Sequence, residues 1–225
     1  MPVAFDWKAT TQVLQDFLSA QGRVEIAVTT TPRDYLTTEN LSKFDVLMLN
    51  YRDTAKGAEE TKWTDANKEA FLNAVKGGKG LVVVHHASSA FVKPNWVEFE
   101  KMVGGWRTQG FHGPAHQFTV KTTSEKHPIS EGLVSSFDHP TDELYQNSML
   151  PAGAIVLGTA YSDPKKEKGT GKDEPVIWVN MYGQGRVYNN VLGHDAAAMA
   201  DPAFQAWMRR GVEWAATGKV QADPK

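Results

Sequence analysis

The chain has 225 residues, 41% hydrophobic and 22% charged, with a formal net charge of −2; this is the make-up of a globular protein with one sizeable core. No cluster of Lys and Arg stands out, which argues against nucleic acid as a partner, and no apolar run approaches the roughly 20 residues that span a bilayer, which argues against a membrane. The absence of cysteine excludes disulfides, thiolate metal ligands and a cysteine nucleophile.

The opening MPVAFDWKATTQ has no cationic segment followed by an apolar one, so it does not read as a signal peptide. The expected compartment is the cytoplasm, with the periplasm the alternative if a signal peptide has been removed. Residues 10–22 (TTQVLQDFLSAQG) predict a helix through Val13, Leu14, Phe17 and Leu18, and residues 24–28 predict a strand. Residues 45–51 (DVLMLNY) and 80–85 (GLVVVH) are continuously apolar, as expected of strands covered on both faces. Between them, residues 64–78 (TDANKEAFLNAVKGG) predict a helix. Thr64 or Asp65 caps its start, Phe71, Leu72 and Val75 form its apolar stripe, and Gly77-Gly78 ends it. The three together form a β–α–β unit, whose crossover is right-handed.

The second half reads differently. Residues 116–121 and 154–159 are short strands, and residues 162–175 (SDPKKEKGTGKDEP) form an exposed loop. Residues 175–182 and 186–192 flank Gly183-Gln184-Gly185 as an antiparallel hairpin. Residues 202–218 predict a helix started by Pro202 and stopped by Gly218. The fold class is α/β: a three-layer sandwich with a mostly parallel central sheet and an antiparallel hairpin. A single domain is expected over residues 1–220, with a frayed tail at 221–225.

Residues 81–90, LVVVHHASSA, run a buried strand into two adjacent histidines. Ligands of open parallel sheets bind outside the carboxyl ends of the strands, where His85 and His86 fall. Neighbouring strand residues face opposite ways, so one imidazole is expected to face the crevice unless the chain turns sharply. His112, His116 and His194 also lie beside glycine or a strand end. His112 and His116 are four apart, but Gly113-Pro114 between them forbids a helix, so they are not a helical metal pair. Asp142-Glu143 is the remaining acidic candidate, either capping a turn or orienting a crevice histidine. His127 and His139 precede proline and read as structural loop residues.

The ordered set FDWKATT (5–11), FDVLMLNY (44–51), GGKGLVVVHHA (77–87), WVEFEKMVGG (96–105), HGPAHQFTV (112–120), EKHPISEGL (125–133), DELY (142–145), PVIWVNMYGQGRVYNNVLGHD (175–195) and VEWA (212–215) resembles the ThuA-like (trehalose utilisation) family, a branch of the class I glutamine amidotransferase-like, flavodoxin-like fold. The resemblance covers essentially the whole chain. Two departures stand out. The opening strand of the family has no counterpart ahead of Asp6-Trp7. Glutaminases of the wider superfamily carry a cysteine after the central strand, where this chain has His85-His86-Ala87, so thiolate-based glutamine hydrolysis is excluded.

The resemblance implies carbohydrate metabolism: trehalose or a related disaccharide, or a 3-keto derivative made by a partner sugar dehydrogenase. One reading is an enzyme with His86, His116, Asp142, Glu143 and His194 as catalytic candidates, working by isomerisation, elimination or hydrolysis. His85, His112, Trp96, Trp106, Tyr145 and Asn50 are the substrate-binding candidates. A divalent metal enters if three of the ligands converge within about 2.0–2.2 Å of one point. A second reading is a non-catalytic sugar-binding or sensory protein, in which Trp96, Trp106 and Tyr145 stack on sugar faces. A third, a serine hydrolase through Ser88 or Ser89, lacks the G-x-S-x-G motif. The sequence is compatible with a homo-oligomer.

Overall fold

A computed structural model describes residues 6–52 and 59–221. Among the described residues, nine strands form in chain order: β1 (Val46–Leu49), β2 (Gly80–Val84), β3 (Phe111–His112), β4 (His116–Thr122), β5 (Ser136–Asp142), β6 (Tyr145–Gln146), β7 (Ile155–Tyr161), β8 (Asp173–Tyr182) and β9 (Gly185–Asn190). Seven helices accompany them: α1 (Trp7–Ser19), the short α2 (Pro32–Tyr35) and α3 (Thr38–Ser42), α4 (Asp65–Lys76), α5 (Val97–Val103), the short α6 (Ala196–Met199) and α7 (Pro202–Thr217).

Seven strands make one sheet in the order β1-β2-β9-β8-β7-β4-β5, and β3 pairs with β6 in a separate two-stranded piece. All five residues of β2 are buried, because helices cover both of its faces. Val82 and Val84 enter the core built by α1 and α7, through Leu14, Phe17, Trp207 and Met208. Leu81 and Val83 enter the opposite core, with Phe71 and Val75 of α4 and Phe99 and Met102 of α5. The three layers expected from the sequence are present.

The sheet is mixed, which corrects the expectation of a mostly parallel one. β1–β2 and β2–β9 are parallel, whereas β9–β8, β8–β7, β7–β4 and β4–β5 are antiparallel. Parallel neighbours need long crossovers. The β–α–β unit supplies one, but the second half has no helix between β4 and β9, so those strands return by turns. A second correction concerns residues 24–28, which form no strand. Val24 and Ile26 only lean on the core. In a doubly wound sheet that segment would pair with a strand ahead of α1, and no such strand lies among the described residues. The opening-strand departure itself falls on residues 1–5, outside the described residues.

Local signals hold where capping is explicit. Thr64, not Asp65, caps α4: its hydroxyl accepts from Asn67 N while Asn67 Oδ1 accepts from Thr64 N. Asp201 caps α7 by accepting from Ala203 N and Phe204 N, Pro202 sits in the first turn, and Gly218 ends the helix at φ 78°. The exposed loop ends earlier than its composition suggests, since Asp173 already belongs to β8.

Candidate active site

At the end of β2 the chain turns abruptly into a 3-10 segment, His85–Ser89. His85 takes φ 42°, in the left-handed region that costs a non-glycine residue on the order of 1–2 kcal/mol. Ser88 Oγ donates to His85 O and Ser89 Oγ to His86 O, both at 2.8 Å, and these bonds tie the elbow. The turn brings both imidazoles to the same side, with ring centroids 4.3 Å apart, where a straight strand would have separated them. It also commits both serine hydroxyls to backbone carbonyls.

His194 follows β9 and Glu143 follows β5. Their ligand atoms, with those of His85 and His86, all lie within 4.8 Å of one another. Glu143 Oε2 is the hub: 3.3 Å from His194 Nδ1, 3.4 Å from His85 Nε2 and 3.6 Å from His112 Nε2. His112 comes from the small β3–β6 sheet, in which it is registered opposite Tyr145. The outer nitrogens are occupied. His85 Nδ1 donates to Val191 O at 2.7 Å, and His112 Nδ1 donates to Gly113 O at 2.7 Å.

Asp142 is buried and meets the cluster through the backbone of Glu143 and His194. Its carboxylate accepts from Glu143 N (2.7 Å), Gly193 N (2.7 Å) and His194 N (3.1 Å), and from His139 Nε2 (2.8 Å). It fixes the two chain segments that carry Glu143 and His194, a geometry that matches the orienting role the sequence offered for the Asp142-Glu143 pair. His139, expected in a loop, is a buried residue of β5 whose Nδ1 also meets Asp201 Oδ2 at 3.1 Å.

The electrostatics follow from this packing. Burial opposes ionisation of Glu143, but hydrogen bonds from His194 and His85 and their charges hold it well below the usual carboxylate range. Burial, reinforced by His85, pushes His86 down to about 2, so that ring stays neutral. The Tyr145 hydroxyl is raised by burial and by the charges of Glu143 and Asp142, so it stays a phenol. It lies 3.0 Å from His86 Nδ1 and 3.3 Å from His85 Nε2.

Of the residues singled out in the sequence, His85, His86, Glu143 and His194 converge, with His112 at the rim and Tyr145 beneath. Trp106 stands edge-on to Tyr145 (4.9 Å, 90°) and beside His112 (5.3 Å), forming the wall behind them. Three others lie elsewhere. His116 donates to Pro114 O and packs on Phe118, outside the cluster. Trp96 joins Trp63, Phe91 and Phe99 in the opposite core. Asn50 Nδ2 donates to the hydroxyls of Thr10 and Thr11, pinning β1 to α1. Sequence reasoning passed over Arg52, whose positive charge acts on both His86 and Tyr145; its place just beyond the β1 carboxyl end was the available signal.

Three imidazoles and a carboxylate offer general acid–base chemistry and a nitrogen- and oxygen-rich donor set. Among the described residues, no helix is long and apolar enough to cross a membrane.

The family model described as "Trehalose utilisation" (ThuA) matches residues 4–215. A putative ThuA-like protein from Parabacteroides merdae is 29% identical, with 99% of this chain and 90% of that chain covered at a TM-score of 0.84. A putative ThuA-like protein from Bacteroides uniformis is 20% identical, with 98% and 91% covered at a TM-score of 0.76. A cytoplasmic protein from Salmonella typhimurium is 15% identical, with 92% and 87% covered at a TM-score of 0.65; the last two likenesses speak to the fold alone. No curated protein matches the sequence. With its family match running through nearly every element described above, the chain belongs to the ThuA, or trehalose utilisation, family.

Proposed function

We propose that the protein is an enzyme of carbohydrate metabolism acting on a disaccharide or its 3-keto derivative. The observation that carries this reading is Glu143 Oε2, ringed at 3.3–3.6 Å by nitrogens of His194, His85 and His112. An imidazole beside an ionised carboxylate is a general base whose conjugate acid the carboxylate stabilises. On a keto-sugar, an imidazole nitrogen takes the proton from the carbon next to the carbonyl, and the electron pair moves onto the carbonyl oxygen as an enolate. Collapse of the enolate expels the neighbouring glycosidic oxygen in an elimination, and the imidazolium returns the proton to that leaving oxygen. Return of the proton to the former carbonyl carbon, with the adjacent hydroxyl proton passing to the enolate oxygen, gives isomerisation; activation of water by the same base, with the glycosidic oxygen leaving protonated, gives hydrolysis. The substrate class rests on the family's description, trehalose utilisation. A sugar dehydrogenase is the enzyme class that supplies a 3-keto substrate.

Of the three rings the binding-only reading needs, Tyr145 is 1% exposed and Trp96 stacks on Phe99, which leaves it the half-buried Trp106. The test is incubation of purified protein with trehalose, other disaccharides and their 3-keto derivatives, with products read by mass spectrometry. Turnover that falls by about 10²–10⁴ in Glu143→Gln and in His194→Ala is expected. Absence of turnover across the panel, or full turnover in both variants, overturns the proposal.

A further inference from the structure

We infer that His85, His86, His194 and Glu143 form a binding site for one divalent first-row transition-metal ion, of which zinc is the reference case. The inference extends the reading of this cluster as the working site, and it stands on the geometry of the donors.

His85 Nδ1 lies 2.7 Å from the carbonyl oxygen of Val191. A carbonyl only accepts, so Nδ1 is protonated; Nε2 then carries either a second proton, donated to Glu143, or, where a cation takes that proton's place, a lone pair able to ligate it. Nε2 faces Glu143 Oε2 at 3.4 Å. His112 repeats the pattern: Nδ1 donates to Gly113 O, and Nε2 faces the same oxygen at 3.6 Å. Lone pairs directed at a carboxylate repel it unless positive charge stands between them. Protons on the rings are one source. A cation held by all of them is the other, and it satisfies every donor at once.

The spacing fits the second source. At metal–ligand distances of roughly 2.0–2.2 Å, neighbouring ligand atoms stand about 3.0–3.5 Å apart. Glu143 Oε2 is 3.4 Å from His85 Nε2 and 3.3 Å from His194 Nδ1, within that spacing; the whole donor set lies within 4.8 Å, so its widest pair draws in on binding. The rings of His85, His86 and His194 meet at interplanar angles of 67°, 85° and 71°. None of these rings is stacked face to face on another, so none covers its neighbour's nitrogens in that way. Support from outside the set is also in place. Metal-ligating histidines generally donate their other N–H to a carbonyl or carboxylate, as His85 does to Val191. Asp142 accepts from the backbone N–H of both Glu143 and His194 and so fixes the segments bearing two of the four donors. Three imidazoles with one carboxylate and no thiolate favour zinc, iron, nickel or manganese over magnesium and calcium, which prefer all-oxygen shells.

The test is made on the full chain, stripped with a chelator and titrated with Zn²⁺ by calorimetry, then with Co²⁺ by visible absorption. The expected result is one ion per chain at a micromolar or lower Kd, with a higher Tm on loading. Glu143→Gln and His194→Ala are expected to weaken binding by at least about 100-fold. His116→Ala, outside the cluster, is expected to leave it unchanged. Both altered side chains are partly solvent-accessible (16% and 13% exposed), and circular dichroism checks that the variants fold. Failure of the wild-type chain to bind Zn²⁺, or binding untouched by both substitutions, overturns the inference. Turnover by protein that binds no metal defeats the metal site alone, while one tightly held ion with no turnover of any sugar supports the site and defeats the carbohydrate reading.

Discussion

His139 Nε2 lies 2.8 Å from Asp142 Oδ2 inside the protein, with both side chains fully buried. That contact joins β5 to the two turns carrying Glu143 and His194, because the same carboxylate accepts from three backbone N–H groups. Asp142→Ala therefore strands three backbone donors and leaves His139 short of a partner charge. Breaking a buried ion pair by removing one side costs about 3–5 kcal/mol, and the stranded donors add to it. Urea denaturation is expected to show a loss of this size, and turnover is expected to fall with it. A variant within about 0.5 kcal/mol of wild type would contradict the positioning role.

The bridge from Asp142 through His139 to Asp201 also sets a pH dependence. Burial alone would lower the His139 pKa, but the two carboxylates raise it above its ordinary 6.5. Its stabilising contribution is fully present below pH 6.5 and is lost as pH rises through the folded-state value. Burial would raise the Asp201 pKa, but the His139 hydrogen bond and the N–H groups of Ala203 and Phe204 lower it below its ordinary 3.8. That contribution is present above 3.8 and is lost as pH falls through the folded-state value. Stability from the bridge is thus greatest between about pH 4 and 6.5. In urea titrations across pH, His139→Gln is expected to lose most stability in that window and least at alkaline pH. A deficit that does not change with pH would count against the charged bridge.

The elements that were legible in the sequence are those whose pattern has one physical cause. β1, α4 and β2 were readable from apolar runs, the Phe71, Leu72 and Val75 stripe and a closing glycine pair, although the cap itself was left between Thr64 and Asp65 until the structure showed the Thr64–Asn67 box. The pairing direction of the later strands was not readable, since a short strand such as β4 carries no mark of its neighbour's direction. His139 was placed in a loop because proline follows it, yet β5 ends the seven-stranded sheet, where a strand tolerates a missing N–H. His86, Glu143 and His194 stand at strand ends that meet at one rim; His116, counted with them in the sequence because it also opens a strand, turns to Pro114 and Phe118 instead. Trp96 misled because aromatic character alone does not separate crevice from core. Its spacing of three from Phe99, on which it stacks at 5.5 Å, was the sign of a packed pair.

Helix α7 lies close on β9 at Gly211, where an added Cβ would collide with the ring of the buried Tyr188. Gly211→Ala gains about 1 kcal/mol of helix propensity but overpacks a full core, at a cost of about 1–3 kcal/mol. The collision is with ring atoms of a fully buried tyrosine, not the tip of a flexible chain, so the steric cost wins. Denaturation is expected to give a net loss of about 1 kcal/mol or more. A gain in stability would mean that the tyrosine ring yields.

Tyr145 separates a positioning role from a stacking one. Its ring is covered by Trp106 and His112, while its hydroxyl reaches His86 Nδ1 and His85 Nε2 at 3.0 and 3.3 Å. Tyr145→Phe keeps the ring and removes only the hydroxyl. If the ring served to stack on sugar, the variant would behave as wild type. If the hydroxyl holds the two imidazoles, kcat is expected to fall by about tenfold, equivalent to roughly 1.4 kcal/mol, with KM little changed. Stability is expected to drop by about 1–3 kcal/mol, the range for a buried group that loses a partner. Steady-state kinetics beside urea denaturation distinguishes the two, and an unchanged kcat would remove the hydroxyl from the working geometry of the site.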